Sequence, residues 1–402
     1  MNEADLQELY DAHERRLRAV PTAFRRSLHD RIDWNDRLIC IKGPRGVGKT
    51  TLMLQRIKEA FPDPTKALCV SLDNLWFATH RLQDVAAHLD THGATHLFLD
   101  EVHHHPDWQT LIKNLHDDFP ALRIVYSSSS LLQLEAGAGD LSRRQLPYAL
   151  PGLSFREFLA FEGVLDHPPV SLSELLVSHA DMARGIASRI KVLPFFERYL
   201  RSGHYPFYRE SPAGYSERLR RIVAQVLDVD YPRAAPVSLA TVRKARKMLM
   251  VLASSTPQIP RMTDLWRELE TDRNNGLAIL HALARAGLVA LLPSRSASLK
   301  NLSRPEKIYL GDTNLMHALV PRPDPGTIRE TFFLNQLSSA GHGVSYPPRG
   351  DFFVDARWLF EVGGPSKTFR QIADAPDSYL ALDGLETGRG NRIPLWLFGF
   401  LY

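Results

Sequence analysis

Five short apolar runs alternating with helical segments, and a glycine-rich turn between the first run and its helix, predict an α/β protein. Its centre is expected to be a doubly wound parallel sheet, because strands that alternate with helices pair in parallel. The runs are RLICIK (37–42), ALCVSL (67–72), THLFLD (95–100), LRIVYS (122–127) and the weaker QLPYAL (145–150). The first passes into GPRGVGKT and then into the helix TTLMLQRIKEAF. Before it, residues 1–36 read as helical, with Leu6, Leu9, Tyr10, Leu17 and Val20 set among charges. Trp76 and Phe77, after the second run, are expected to pack in the core.

Composition bounds the rest. The chain has 402 residues, enough for two or three domains and a sizeable core. Hydrophobic residues at 44% and charged residues at 23% exclude a largely disordered, collagen-like or coiled-coil chain. The net charge of +4 permits an acidic partner without implying one. Cys40 and Cys69 each lie in an apolar run and are expected to be buried thiols, too few for a disulfide framework. The charged N-terminus has no signal-peptide core, and no run of about 18 apolar residues occurs, so a cytoplasmic protein without membrane contact is expected.

The chemistry is concentrated in residues 43–101. GPRGVGKT matches G-x-x-x-x-G-K-[ST], with a strand before it and a helix after it. Gly43, Gly46 and Gly48 let the backbone curl so that N–H groups point at phosphate oxygens, and the helix start adds its dipole. The expected nucleotide-binding set is Gly43, Pro44, Arg45, Gly46, Val47, Gly48, Lys49, Thr50 and Thr51. Lys49 should reach the β- and γ-phosphates. Thr50 and Asp100 should hold Mg²⁺, and Glu101 should polarise the attacking water. This is the P-loop NTPase pattern, with ATP and Mg²⁺ as the expected ligands.

A strand at 67–72 falls between the two motif strands in sequence, which favours a sheet in which those two are not neighbours. The fourth strand would then separate them and bring SSSS (127–130) near the γ-phosphate, with Ser127 the first candidate to sense it and Ser129 the second. Arg143 and Arg144 stand just before the fifth strand, where an arginine can reach a neighbouring subunit's γ-phosphate, so a homo-oligomer is a candidate assembly. His103, His104 and His105 are consecutive at a helix start, about 100° apart, and are not expected to converge on a metal. His103 is close enough to Glu101 to touch the nucleotide site.

Beyond residue 150 the pattern is helical to about 240. Three helices follow (VRKARKMLMVLAS, MTDLWRELE, NNGLAILHALARAGL), then the strand-like VALLPS and KIYLGD, the outline of a winged helix. Arg273, His281 and Arg285 on its last helix, and Arg295, Lys300, Arg304 and Lys307 on its hairpin, are candidate DNA contacts. PRPDPG (321–326) reads as a linker. After it come one helix and two strand-like runs, DFFVDARWLFEVGG and PLWLFGFLY.

GPRGVGKTT, LFLDEVHHHPDW, the serine run after IVY, and SRR followed by LPGLSFREFL together resemble a family of prokaryotic AAA-like ATPases. FFERYLRSGHYPFYRE (195–210), KIYLGDTNLMHAL (307–319) and RETFFLNQL (329–337) extend the resemblance over nearly the whole chain. It implies an AAA-like core over 1–165, a helical lid over 166–240, a winged helix over 241–320 and, over 327–402, a small α/β domain similar to PD-(D/E)xK nucleases. It also implies that Ser127 holds the hydroxyl position ending the strand after Walker B, with Ser128 in place of the usual glycine. Arg144, eleven residues before Phe155, matches the family arginine, and Arg143 stands where a glycine is usual.

The nuclease pattern needs a helix Glu, an Asp, and Glu-x-Lys on a strand, so that carboxylates hold a divalent metal. Glu330, Asp351 and Glu361 are present, but Gly363 stands in the lysine position and Lys367 is four residues further on. A degenerate, non-cutting domain is therefore expected. The reading is an ATP-hydrolysing, Mg²⁺-dependent AAA-like ATPase that acts on DNA or protein. The alternative is a slow nucleotide-dependent switch or scaffold that binds a protein partner.

Overall fold

The computed structural model describes residues 3–129, 141–254, 262–295 and 305–402, and the side chains from Leu6 onward. It divides into two compact units, one ending at Pro151 and the other beginning at Gly152. The first is a five-stranded parallel sheet with strands β1 (Leu38–Lys42), β2 (Ala67–Ser71), β3 (His96–Asp100), β4 (Arg123–Ser128) and β5 (Leu146–Ala149). Their order is β2-β3-β4-β1-β5. As expected, β4 separates the two motif strands, and its register sets Ile41 beside Ser127. Helices Lys49–Ala60, Leu82–Thr91 and Trp108–Asp118 connect the strands.

β1 to β4 are nearly all buried, whereas β5 is a largely exposed edge, which is why its apolar pattern is weak. Trp76 packs in the core and stacks on His80, with ring centroids 4.0 Å apart, and Phe77 is half-buried against that core. Cys40 and Cys69 are buried free thiols. The N-terminal helix is shorter than its sequence suggests. It spans Glu3–Ala19 and stops where Pro21 disfavours helical backbone at Val20, and only the short turn Leu28–Arg31 follows. Leu6 and Leu9 of this helix enter the core.

The second unit begins with helices Phe155–Phe161, Leu172–Ala187, Val192–Ser202 and Tyr215–Gln225, the last running on through a π-turn, Val226–Asp230. Helices Leu239–Ser254, Met262–Glu268 and Arg273–Arg285 precede an antiparallel hairpin of β6 (Val289–Leu292) and β7 (Lys307–Leu310), in the order expected. Helices Thr313–Leu319 and Pro325–Ser339 lead into a second sheet. Its strands are β8 (Val344–Ser345), β9 (Phe352–Val354), β10 (Trp358–Gly363), β11 (Ser378–Leu382) and β12 (Arg392–Pro394). β8, β9 and β10 form an antiparallel meander, and β11 and β12 add in parallel. No helix among the described residues is long and apolar enough to cross a membrane.

Four details differ from the sequence reading. LSFREFL, expected in the ATPase core, belongs to the second unit. Ser154 Oγ and Arg156 Nε donate to the carbonyl of Tyr402 at 2.7 and 2.9 Å, and Phe155 packs its ring near Phe196, Trp396 and Phe400. PLWLFGFLY is a 3₁₀ turn over Leu395–Phe400 rather than a strand, every residue of it buried; a short apolar run has no period to tell the two apart. β11, SYLAL, is a strand between polar loops that the sequence reading passed over. PRPDPG is only half a linker, because Asp324 caps the Thr327 amide and Pro325 opens the next helix.

Candidate nucleotide site

The site lies at the C-terminal ends of β1, β3 and β4, where ligands bind in open parallel sheets. After β1 the backbone turns left-handed at Gly46 (φ 81°) and Gly48 (φ 96°), conformations that favour glycine. A Cβ on Gly43 would collide with the Leu150 carbonyl, so this turn cannot carry a side chain. The result is a tight cradle ending in the helix Lys49–Ala60. A brace comes from a residue the sequence reading did not single out. The buried Arg26 donates to the carbonyls of Val47 and Pro151, both at 2.8 Å. Only its position in a charged N-terminal stretch could have hinted at it.

Lys49 is buried and donates from Nζ to the carbonyls of Gly43 and Pro44, both at 2.9 Å. Burial pulls its pKa down to about 8, partly opposed by Glu101 and Asp100. Thr50 Oγ1 donates to Asp100 Oδ2 at 2.6 Å, which joins the loop to the end of β3. Burial pushes the Asp100 carboxyl up, against hydrogen bonds from Ser127 and Thr50. A hydroxyl and a buried carboxylate in contact, with no ammonium directly on them, are the donor set that Mg²⁺ takes.

Three of the four serines at the end of β4 have separate partners. Ser127 is fully buried, and its hydroxyl donates to Asp100 Oδ1. It supports that carboxylate. Ser129 Oγ donates to Glu101 Oε2 at 2.6 Å, so the second-choice serine is the one on the candidate catalytic acid. Ser130 lies outside the described residues. Arg144 makes a two-pronged ion pair with Asp117, Nε to Oδ1 and Nη2 to Oδ2 at 3.0 Å each, while Arg143 is exposed. Within this chain, then, the arginine matched for action in trans already has a carboxylate partner.

A second cluster lies in the other unit, and it was legible in part. Glu330, Asp351 and Glu361 do converge, but each meets an ammonium group or a backbone amide. Lys307 Nζ lies 3.2 Å from Glu330 and 3.6 Å from Asp351. Lys367 Nζ lies 2.5 Å from the buried Glu361, and the Val362 amide donates to Asp351 at 2.9 Å. Gly363 makes this possible, since a Cβ there would run into the Lys367 stem at 2.8 Å. Burial lowers Lys367, but its bond to Glu361 and the surrounding carboxylates raise it further, and the net shift is upward. Glu330 is raised by burial and by Asp351. Among the described residues these three carboxylates do not gather ligand atoms within 4.8 Å of one another, so they do not fit a divalent-metal site. The hairpin residue Lys307 is thus internal, and Arg295 lies 3.9 Å over the Phe353 ring. Lys300 and Arg304 lie outside the described residues.

Strand order, loop and strand-end acids define a P-loop NTPase fold. Residues 35–159 match the protein family described as AAA domain, and residues 194–325 match a domain of unknown function (DUF8612). Two uncharacterised proteins of Methanocaldococcus jannaschii are similar over most of their length. MJ1637 is 24% identical, covering 91% of this chain and 85% of the relative. MJ1544 is also 24% identical, covering 84% and 74%. Among solved structures, the Saccharomyces cerevisiae Hsp104–ADP complex is similar at 17% identity, over 68% of this chain and 39% of that one, with a TM-score of 0.27. AMPPCP-bound DnaA from Aquifex aeolicus is similar at 16% identity, over 71% and 88%, with a TM-score of 0.26.

Proposed function

We propose that the chain binds and hydrolyses ATP. The observation that carries this is the meeting of Lys49, Thr50, Asp100 and Glu101 at the C-terminal ends of β1 and β3, with Ser127 of β4 and Ser129 just after it behind the two acids. Lys49 exchanges its two carbonyl partners for phosphate oxygens, and the loop amides orient the chain of phosphates. Thr50 and Asp100 would hold Mg²⁺, which neutralises charge on the β- and γ-phosphates when bound. Glu101 accepts a proton as water attacks the γ-phosphorus, and the bond to the β,γ-bridging oxygen breaks, giving ADP and phosphate.

We read the C-terminal sheet as a nuclease-like fold that does not cut. Glu330 on the helix Pro325–Ser339, Asp351 just before β9 and Glu361 on β10 stand at the expected places, and two lysines neutralise them. Of the two partner classes, the protein-binding switch is favoured, because Arg295 and Lys307 of the hairpin are engaged inside the second unit and leave the wing less basic. Arg144 would serve a neighbouring subunit only after leaving Asp117. ATPase activity measured against protein concentration, with and without DNA, tests these points. The switch reading expects slow turnover with no stimulation by any DNA. Stimulation lost at high salt would favour DNA instead.

A further inference from the structure

Glu101 is one of five non-glycine residues with positive φ among the described residues (φ 52°, ψ 44°), a conformation that costs an L-residue about 1 kcal/mol or more. The bend is held by its own amide, which donates to Ser127 Oγ at 3.3 Å. It opens the short turn Val102–His104 and brings His103 back over the acid.

We propose that His103 is a positioning residue that links the phosphate loop to Glu101, holding one carboxylate oxygen so that the other is left for the reacting water. This rests on Glu101 being the water-activating base. The His103 ring is buried and touches three elements. Arg45 Nη2 of the loop lies 3.3 Å from Nε2. Ser128 Oγ of β4 lies 3.1 Å from Nδ1. Glu101 Oε2 lies 3.3 Å from the same Nδ1. A guanidinium has only donors, so Nε2 accepts and the ring proton sits on Nδ1. That proton faces both Ser128 Oγ and Glu101 Oε2. Ser129 Oγ donates to this same oxygen. Both donors therefore fall on Oε2, and Oε1 makes no hydrogen bond to a described residue.

A base held by one oxygen and open at the other has the orientation that general-base catalysis needs. The chain Arg45–His103–Glu101 also gives the loop a route to the acid. Arg45 belongs to the loop that takes the phosphates, so filling the loop changes what Nε2 meets, and a single ring carries the change to Oε2. The same geometry argues against a metal here. Glu101, His103 and His104 bring one ligand atom each within 4.8 Å, but a proton on Nδ1 leaves no lone pair there for a cation.

Steady-state ATPase and ATP binding in the full chain with His103→Ala, His103→Asn and His103→Gln test this. Asparagine can place an N–H near the Nδ1 position, whereas glutamine reaches only toward Nε2. The Ala and Gln variants should lower kcat by about tenfold or more while the Kd for ATP moves less than about threefold. The Asn variant should recover kcat to within about threefold of the parent. In an Arg45→Ala background, His103→Ala should lose less than it does alone. The proposal is overturned if the Ala variant keeps full kcat, if Asn is as slow as Ala, or if ATP binding falls in step with kcat. Should the Ala variant fail to fold, the contrast between Asn and Gln decides. Glu101→Gln serves as the control. If it is inactive while every His103 variant runs at parental speed, only this proposal fails; if it is fully active, the assignment of the base fails.

Discussion

Each unit of this chain brings lysine and carboxylate side chains together, and the two clusters are wired in opposite ways. In the first, Lys49 bonds two backbone carbonyls, while Asp100 is held by Thr50 and Ser127, and Glu101 by Ser129 and His103. Neutral donors orient these acids without pairing them with a cation, which leaves them for a ligand. In the second, Lys307 and Lys367 sit directly on Glu330, Asp351 and Glu361. There the charges answer one another and nothing is left for a ligand to do. The difference teaches that an inventory of acids and lysines does not define a site. What defines it is whether the acids are held by neutral donors or by cations.

Breaking the second cluster should have the largest effect on free energy. Lys307→Met leaves Glu330 and Asp351 facing each other in a largely buried place and should destabilise the second unit by about 3–5 kcal/mol. Glu330 is already raised by burial and by Asp351. Losing the ammonium raises it further, so the destabilisation should be greatest at neutral pH and shrink as acid protonates Glu330. Thermal unfolding of parent and variant across pH checks both size and sign. If Lys307→Met gained a divalent-cation site without loss of stability, the cluster would be a metal site in waiting and the contrast would fail.

The first cluster can be sharpened by separating its two serine hydroxyls. Ser127→Ala removes the donor on Asp100 Oδ1 and should raise the Mg²⁺ concentration for half-maximal activity by about tenfold, since outer partners of a metal ligand are worth that much. Ser129→Ala removes one of the two donors on Glu101 and should instead lower kcat by about tenfold at unchanged Mg²⁺ demand. Equal effects on both parameters would mean that the two serines do not divide the acids as the contacts indicate.

The smallest effect is on pH. Lys49 titrates near pH 8 in the nucleotide-free protein because it is buried. Phosphates favour its ammonium form, so the bound pKa lies above the free one. ATP affinity should be flat below pH 8, then fall by up to about tenfold per unit as pH rises through it, with one proton taken up on binding. Calorimetry in two buffers of different ionisation heat reads the proton directly.

The first unit was largely legible because its signals are local. The loop needs glycine at fixed positions, Asp100 and Glu101 end an apolar run, and a strand between the motifs implies their separation by β4. What the residue string does not hold is where the hydroxyls aim. Ser127 and Ser129 differ by two positions yet serve different acids, because Glu101 turns left-handed and changes the geometry after β3. His103 was placed near the site, but its link to Arg45 depends on that same bend. In the second unit, Gly363 looked like a lost lysine. Its meaning appears only when the Lys367 stem is seen lying over it. The tail PLWLFGFLY, buried throughout, carries no periodic signal from which its 3₁₀ turn could be read.

The central claim is that Glu101 activates water in a site that otherwise binds nucleotide without it. Single-turnover hydrolysis by Glu101→Gln, started by Mg²⁺ with ATP already bound, tests it most directly. The account predicts ATP affinity within about threefold of the parent and hydrolysis slowed by about 10²–10⁴-fold. Hydrolysis at the parental rate would contradict it.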